Sequence, residues 1–188
     1  MSKSFTSEQK RLLQLLHNLS YIKGEVKLAS GKISNFYIDC RKTVLTAEGH
    51  FLIGKVFYDI IKRYFPEAKA VGGVVLGAAP IASAISYASF GNNPELPAFY
   101  LRKEPKTHGT GKLLEGTVPK GAPVVIVEDV VTTGGSTLKA VEVAKNEGLN
   151  PIGVIALIDR EENDATAKLL SQIRYVSVFK KSDFSDIS

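Results

Sequence analysis

Two adjacent acids, Glu128 and Asp129, follow the unbroken β-branched run Val124-Val125-Ile126-Val127. Such a run suits a central parallel strand covered on both faces, and it sets both carboxylates at the strand's carboxyl end, where open α/β sheets hold their ligands. Like charges crowded there are costly without a partner. Val130 and Val131 then lead into Thr132-Thr133-Gly134-Gly135-Ser136-Thr137, hydroxyls and glycines that precede a helical pattern at Leu138, Val141 and Ala144. A turn of that composition aims backbone N–H groups and hydroxyls at a phosphate, and the helix N-terminus adds partial positive charge. Acids beside a phosphate cradle suit a ligand with both vicinal hydroxyls and a phosphate monoester, as in ribose 5-phosphate. The stretch lacks the lysine of a Walker loop and the G-x-G-x-x-G spacing of a dinucleotide fingerprint. The plainer reading is an acidic turn before a glycine-containing helix start, and it leaves the coincidence of acids, threonines and glycines unexplained.

A second constellation is RKEPKTHGTGK, which holds Arg102, Lys103, Lys106, His108 and Lys112 together with Pro105, Gly109 and Gly111. Neither a clean helix nor a clean strand fits it. Cations between glycine hinges form a mobile arm suited to closing over a pyrophosphate, where they would neutralise charge building on a leaving group. A solvated charged loop is the bland alternative. A loop histidine such as His108 has three readings, general acid, phosphate donor or bystander, and phosphate donor is favoured. Arg160 follows the apolar run Ile152 to Ile158 and Asp159, at a strand end where a guanidinium can read a substrate carboxylate bidentately. An ion pair with Asp159 or Glu161 is an equal alternative from the residues alone. His17 and His50 sit in helical patterns without partners at metal spacing, and the sole cysteine, Cys40, permits no intramolecular disulfide and reads as packing.

With these residues in view, VVIVEDVVTTGGST resembles the phosphoribosyl-diphosphate (PRPP) motif of the type I phosphoribosyltransferases. The rest of the chain resembles the orotate phosphoribosyltransferase family. Arg102, Lys103, Lys106, His108 and Gly109 match that family's lid, and LASGKISNFYID matches the Leu-x-Ser-Gly-x-x-Ser pattern of its hood. The resemblance implies the type I phosphoribosyltransferase fold, an α/β protein whose mostly parallel five-stranded sheet is flanked by helices beneath a small N-terminal hood. It implies transfer of the 5-phosphoribosyl group from PRPP to orotate in pyrimidine synthesis. Glu128 and Asp129 would then hold the ribose hydroxyls, and Val130, Val131, Thr132, Thr133, Gly134, Gly135, Ser136 and Thr137 would surround the 5-phosphate. Arg102, Lys103, Lys106 and His108 would contact the pyrophosphate, Thr132 and Arg160 the base, with Lys103 and Asp129 closest to the chemistry. Mg2+ would arrive with PRPP and not on dedicated protein ligands. A homodimer sharing the lid between subunits is also implied. Where some members carry Tyr-Lys this chain has Leu76-Gly77, so no catalytic lysine is carried over there. The rivals are a type I phosphoribosyltransferase for another base and a PRPP-sensing regulator; the roughly 45 residues before the long helix leave the latter little room for a DNA-binding domain.

The elements that must position these groups read plainly. Thr6 to Gln9 has capping-box spacing before a helix over 7–19, and Val26, Leu28, Phe36 and Ile38 alternate about Ser30-Gly31 as a two-stranded unit over 25–40. A long helix runs from about Thr46 until Pro66 ends it. Strands are expected at 70–76, 97–102, 124–128, 151–159 and 175–179, with Gly77-Ala78-Ala79-Pro80 opening a small-residue helix and another helical pattern after Asn163. Alternating strands and helices imply a mostly parallel sheet with right-handed crossovers. The tail SDFSDIS is expected to fray. At 188 residues, 44% hydrophobic and 23% charged, the chain suits a single domain, with about 1–45 contributing to the hood and 102–117 forming the lid. No signal-peptide core or apolar run of about 18 residues is present, so a cytoplasmic protein that does not engage membranes is expected. The net charge of +5 is compatible with a polyanionic substrate, but charge alone fits an ordinary basic surface better. Nucleic acid is a weaker reading, since the cations cluster in one loop.

Overall fold

The computed structural model of this chain describes residues 5–27, 33–104, 113–162 and 164–185. Its centre is a six-stranded sheet of order β5-β4-β3-β6-β7-β8. The strands are β3 (Ala70–Val74), β4 (Ala98–Leu101), β5 (Leu114–Glu115), β6 (Pro123–Val131), β7 (Asn150–Asp159) and β8 (Tyr175–Lys180). The five expected strands are there and pair in parallel. The sixth, β5, is a two-residue antiparallel edge strand against β4, too short to leave a periodic signal. β6 runs on to Val131, beyond the expected end at Glu128, because Val130 and Val131 continue the β-branched run and keep pairing with Ile158 and Asp159 of β7.

Alternation along β6 builds two cores. Val125 and Val127 join Ile155 and Leu157 of β7 beneath α1 (Ser7–Leu15), α3 (Ala47–Tyr64) and α4 (Ala78–Ser89). Val124 and Ile126 join Val154 and Ala156 beneath α5 (Gly135–Asn146) and α6 (Ala165–Leu170). With helices on both faces, the strand has no need of a polar side, which is why its sequence is apolar without interruption. Helix starts follow local chemistry. Thr6 and Gln9 exchange reciprocal capping-box bonds at α1, and Thr46 Oγ1 accepts from the Gly49 N–H at α3. The first helix continues to Ser20 in wider π-type turns. A four-residue helix, α2 (Arg41–Val44), links the hood to α3. Among the described residues no helix is long and apolar enough to cross a membrane.

The hood is an antiparallel pair, β1 (Tyr21–Lys27) and β2 (Ile33–Ile38), longer than expected at its start because Gly24, at φ 116°, lets the first strand pass through an irregularity and keep pairing. One expectation is overturned at the chain's end. Residues Lys181–Phe184 form a 3-10 turn, and Phe184 is buried against the hood's Tyr21 and Phe36, with ring centroids 5.7 and 5.5 Å away. Ser182 to Ser185 are therefore anchored where fraying was expected, because an aromatic hood face needs an apolar cover; residues 186–188 lie outside the described residues. Phe184→Ala should destabilise the protein by about 3 kcal/mol, read from urea unfolding midpoints. A frayed tail would leave the midpoint unmoved.

Candidate active site

The carboxyl ends of β3, β4 and β6 open into one cleft of about 550 Å³. The period of two in β6 sends its two acids to opposite walls. Glu128 continues the row of Val124 and Ile126 toward α5, where the buried Thr137 Oγ1 lies 3.5 Å from its Oε2 and donates to it. Asp129 continues the row of Val125 and Val127 toward the turn after β3, and its Oδ1 accepts from the Val130 N–H at 2.9 Å. A Cβ on Gly77 would lie 2.6 Å from the Asp129 carboxylate. With Gly77 in place of the lysine that some members carry, the turn packs directly against the acid, and a side chain there would oblige the Asp129 carboxylate to shift. Leu76, joined to Val75 by a cis peptide, points outward.

Burial and the charge of Asp129 push the Glu128 carboxyl well above its ordinary range, to about 8. At neutral pH Glu128 therefore holds its proton, and Asp129 is spared an adjacent like charge. Cys40, at the end of β2, is sealed from solvent; burial first, then the charges of Asp129 and Asp39, push its thiol up, so it packs and is no nucleophile. Asp39 is itself held below its usual range by hydrogen bonding to Arg41, whose Nε lies 2.8 Å from it.

The turn between β6 and α5 is made by Gly134, at φ 72° in the left-handed region, as N-cap of a 12-residue helix. A glycine cap brings no side chain of its own to the first turn, where the Gly135 N–H makes a long 3.4 Å bond to Thr133 Oγ1, and Thr133, Gly135 and Ser136 are exposed there, open to an external anion. Ser136 lines the cleft together with Lys139, a cation that the motif reading passed over. The signal for Lys139 was present in its i,i+3 spacing from Ser136, which puts both on one helix face.

From the basic segment, Arg102 and Lys103 line the cleft. Arg102 is also tied down, its backbone N–H donating to Leu113 O at 2.8 Å and its Nε to Glu115 Oε1 at 2.7 Å, and these bonds create the extra edge strand. Lys106 and His108 lie outside the described residues. Val130 also lines the cleft, whereas Val131, Thr132, Thr133, Gly134, Gly135 and Thr137 are not among its lining residues and lie beside it, at the end of β6, in the turn that follows and at the start of α5. Arg160 is not among the lining residues. It is buried between the hood and the end of β7, donating from Nη2 to Phe36 O at 3.1 Å and pairing with Glu162 at 2.8 Å. Of the acids expected as ion partners neither is used. Asp159 is fully buried and accepts from the Glu161 N–H, Thr166 Oγ1 and Tyr175 Oη, and Glu161 accepts from the Ser182 N–H. Burial and the charge of Asp159 push the Tyr175 phenol up, so it remains a donor throughout the working pH range. Among the described residues no group of three or more His, Cys, Asp or Glu side chains is placed to hold a metal ion.

Comparison with known proteins agrees with this arrangement. The family model for the phosphoribosyl transferase domain matches residues 45–184, and these include the acids, the glycine turn and both described lid stems. An orotate phosphoribosyltransferase of Sorangium cellulosum is 48% identical over 187 residues, covering 98% of this chain and 96% of its own length. One from Aquifex aeolicus is 43% identical over 157 residues, covering 84% of this chain and 85% of its own. The crystal structure of Mycobacterium tuberculosis orotate phosphoribosyltransferase in complex with PRPP superposes with a TM-score of 0.77 at 31% identity, covering 95% of this chain and 99% of that one. The fold is thus that of a type I phosphoribosyltransferase. Within that class, the chain belongs to the orotate phosphoribosyltransferase family.

The protonated Glu128 has a signature in stability. Its folded carboxyl, raised to about 8 from an unfolded value near 4.5, contributes stability that is full below the unfolded value and is lost as pH rises through the folded one. Between pH 5 and 8 the ligand-free protein should therefore lose up to roughly 1.4 kcal/mol per pH unit relative to Glu128→Gln. Parallel unfolding midpoints for the two proteins across that range would refute it.

Proposed function

We propose that this chain transfers the 5-phosphoribosyl group of PRPP to orotate, giving orotidine 5-monophosphate and pyrophosphate, a step of de novo pyrimidine synthesis in the cytoplasm. The observation that carries the reading is one cleft in which Asp129 and Glu128 face the uncapped N-terminus of α5 while Arg102, Lys103 and Lys139 supply positive charge. In the reaction the bond from ribose C1 to the diphosphate oxygen breaks, a bond from C1 to a ring nitrogen of the base forms, and that nitrogen's proton is lost. The transition state carries positive charge at the ribose and negative charge on the leaving group. No covalent intermediate is needed. The protein's task is to position the two substrates, neutralise the departing diphosphate and exclude water.

Each group then has its part. Asp129 and Glu128 hold the ribose hydroxyls, the backbone from Val130 to Thr137 holds the 5-phosphate, and Lys103 neutralises the leaving diphosphate with help from Arg102, Lys106 and His108. Thr132 and Arg160 meet the base. Mg2+ fits as the PRPP chelate, because this ion commonly binds through one or two carboxylates plus substrate phosphates; Asp129 is the carboxylate that would face it, and Glu128 would join it only on releasing its proton. When bound, it neutralises part of the diphosphate charge. The experiment is turnover of purified protein with PRPP, Mg2+ and a panel of orotate, uracil, adenine and hypoxanthine. Orotate should be the preferred base by orders of magnitude. Preference for another base would reassign the substrate, and PRPP binding without turnover of any base would favour a PRPP sensor.

The working unit is a homodimer with its lid shared between subunits. This is supported by an exposed apolar groove between α3 and α4 that carries Phe51, Tyr87 and Phe90. Mixing Lys103→Ala with Asp129→Asn chains should restore up to about a quarter of wild-type activity after random subunit exchange, because half of the dimers would hold one intact site. No recovery despite verified exchange would place Lys103 in its own subunit's site.

A further inference from the structure

Arg160 is buried beneath the hood with a carboxylate already on it. Its side chain is 9% exposed and that of Glu162 is 33% exposed, and Arg160 Nη2 lies 2.8 Å from Glu162 Oε1. The arginine is rigidly mounted. Its backbone N–H donates to Val131 O at 2.9 Å, and the preceding Asp159 gathers three donors from the segment that follows. The guanidinium lies over the Phe36 ring, 5.9 Å from its centroid, and donates to the same residue's carbonyl. Glu162, by contrast, stands on irregular chain between β7 and α6, flanked by Glu161 and Asp164 at φ 55° and 52°. One partner is fixed and buried, and the other is a third exposed and able to swing into water.

We propose that Glu162 is an internal stand-in for the substrate carboxylate, and that orotate binds by displacing it from Arg160. A buried guanidinium without a counter-charge is strongly unfavourable, so the ligand-free protein keeps Glu162 in place. An incoming carboxylate exchanges one ion pair for another without a new desolvation of the arginine. A base that has no carboxylate dislodges Glu162 without giving Arg160 a carboxylate in return. Glu162 thereby acts as a specificity-determining residue, a guard that yields only to an anion.

This inference rests on the reading of Arg160 as the base's carboxylate receptor, and its test separates the two. Steady-state KM values for orotate and PRPP, turnover of uracil, and the ligand-free melting temperature are measured for wild type, Glu162→Gln, Glu162→Ala and Arg160→Ala. Both Glu162 variants should lower the orotate KM by roughly three- to tenfold, the scale of one charge-assisted contact. The PRPP KM should stay within about twofold, the uracil rate should rise because no guard has to be dislodged, and the melting temperature should fall because the arginine loses that ion pair. Glutamine is nearly isosteric, so the Gln variant remains informative should the Ala variant fold poorly. An orotate KM that rises or stays level in Glu162→Gln while Arg160→Ala raises it would overturn the stand-in role alone. An unchanged orotate KM in Arg160→Ala would overturn the base-reading role of the arginine, and the stand-in role with it.

Discussion

Two carboxylates on consecutive residues at the end of a strand whose preceding four side chains are sealed from solvent set the terms for everything around them. The sheet has to present them, since only a strand end gives side-by-side residues a common opening while sending them to opposite walls. The surroundings must also tolerate them. Glu128 meets that demand by keeping its proton and accepting from Thr137, and Asp129 does so by drawing in its own backbone and a glycine turn that has no side chain to offer. The acids are thus poised for hydroxyl donors, and the adjoining helix start is left open for an anion. A phosphorylated sugar satisfies both at once.

The hood depends on a different set of contacts. It is a two-stranded hairpin, too small to be stable alone, and it is held from below by the rings of Tyr21, Phe36 and Phe184 and by the guanidinium of Arg160 on the Phe36 carbonyl. Arg160 is therefore both a clamp on the hood and the cation that would meet a base. The end of the chain, through Phe184, closes the same cluster from the other side. On the proposed reading of Arg160, base recognition and hood position would be mechanically linked.

Much of this was legible in the sequence. The uninterrupted run before Glu128 fixed a doubly covered strand, and the threonine-glycine cluster after it marked the turn that opens α5, because both depend on neighbours along the chain. What stayed hidden depends on distant ones. Phe184 looked like a tail residue because its partners Tyr21 and Phe36 come from the opposite end of the chain. The residues alone left a substrate carboxylate and an ion pair with Asp159 or Glu161 as equal readings of Arg160 and did not point to Glu162, since three nearby acids are equivalent in composition. The fold separates them by burying Asp159 among hydroxyl and N–H donors and turning Glu161 toward Ser182 through a left-handed residue. The edge strand β5 exists only because Arg102 binds Leu113 and Glu115 across the lid, a contact without any local periodicity.

The claim on which the rest stands is that Asp129 exists for the ligand and not for the fold. Calorimetric titration of PRPP with Mg2+ into Asp129→Asn, alongside circular dichroism of the same protein, tests it most directly. The account predicts an unchanged spectrum with PRPP affinity reduced by about tenfold or more, the scale of a lost charged hydrogen bond. Wild-type affinity in a folded Asp129→Asn protein would contradict it.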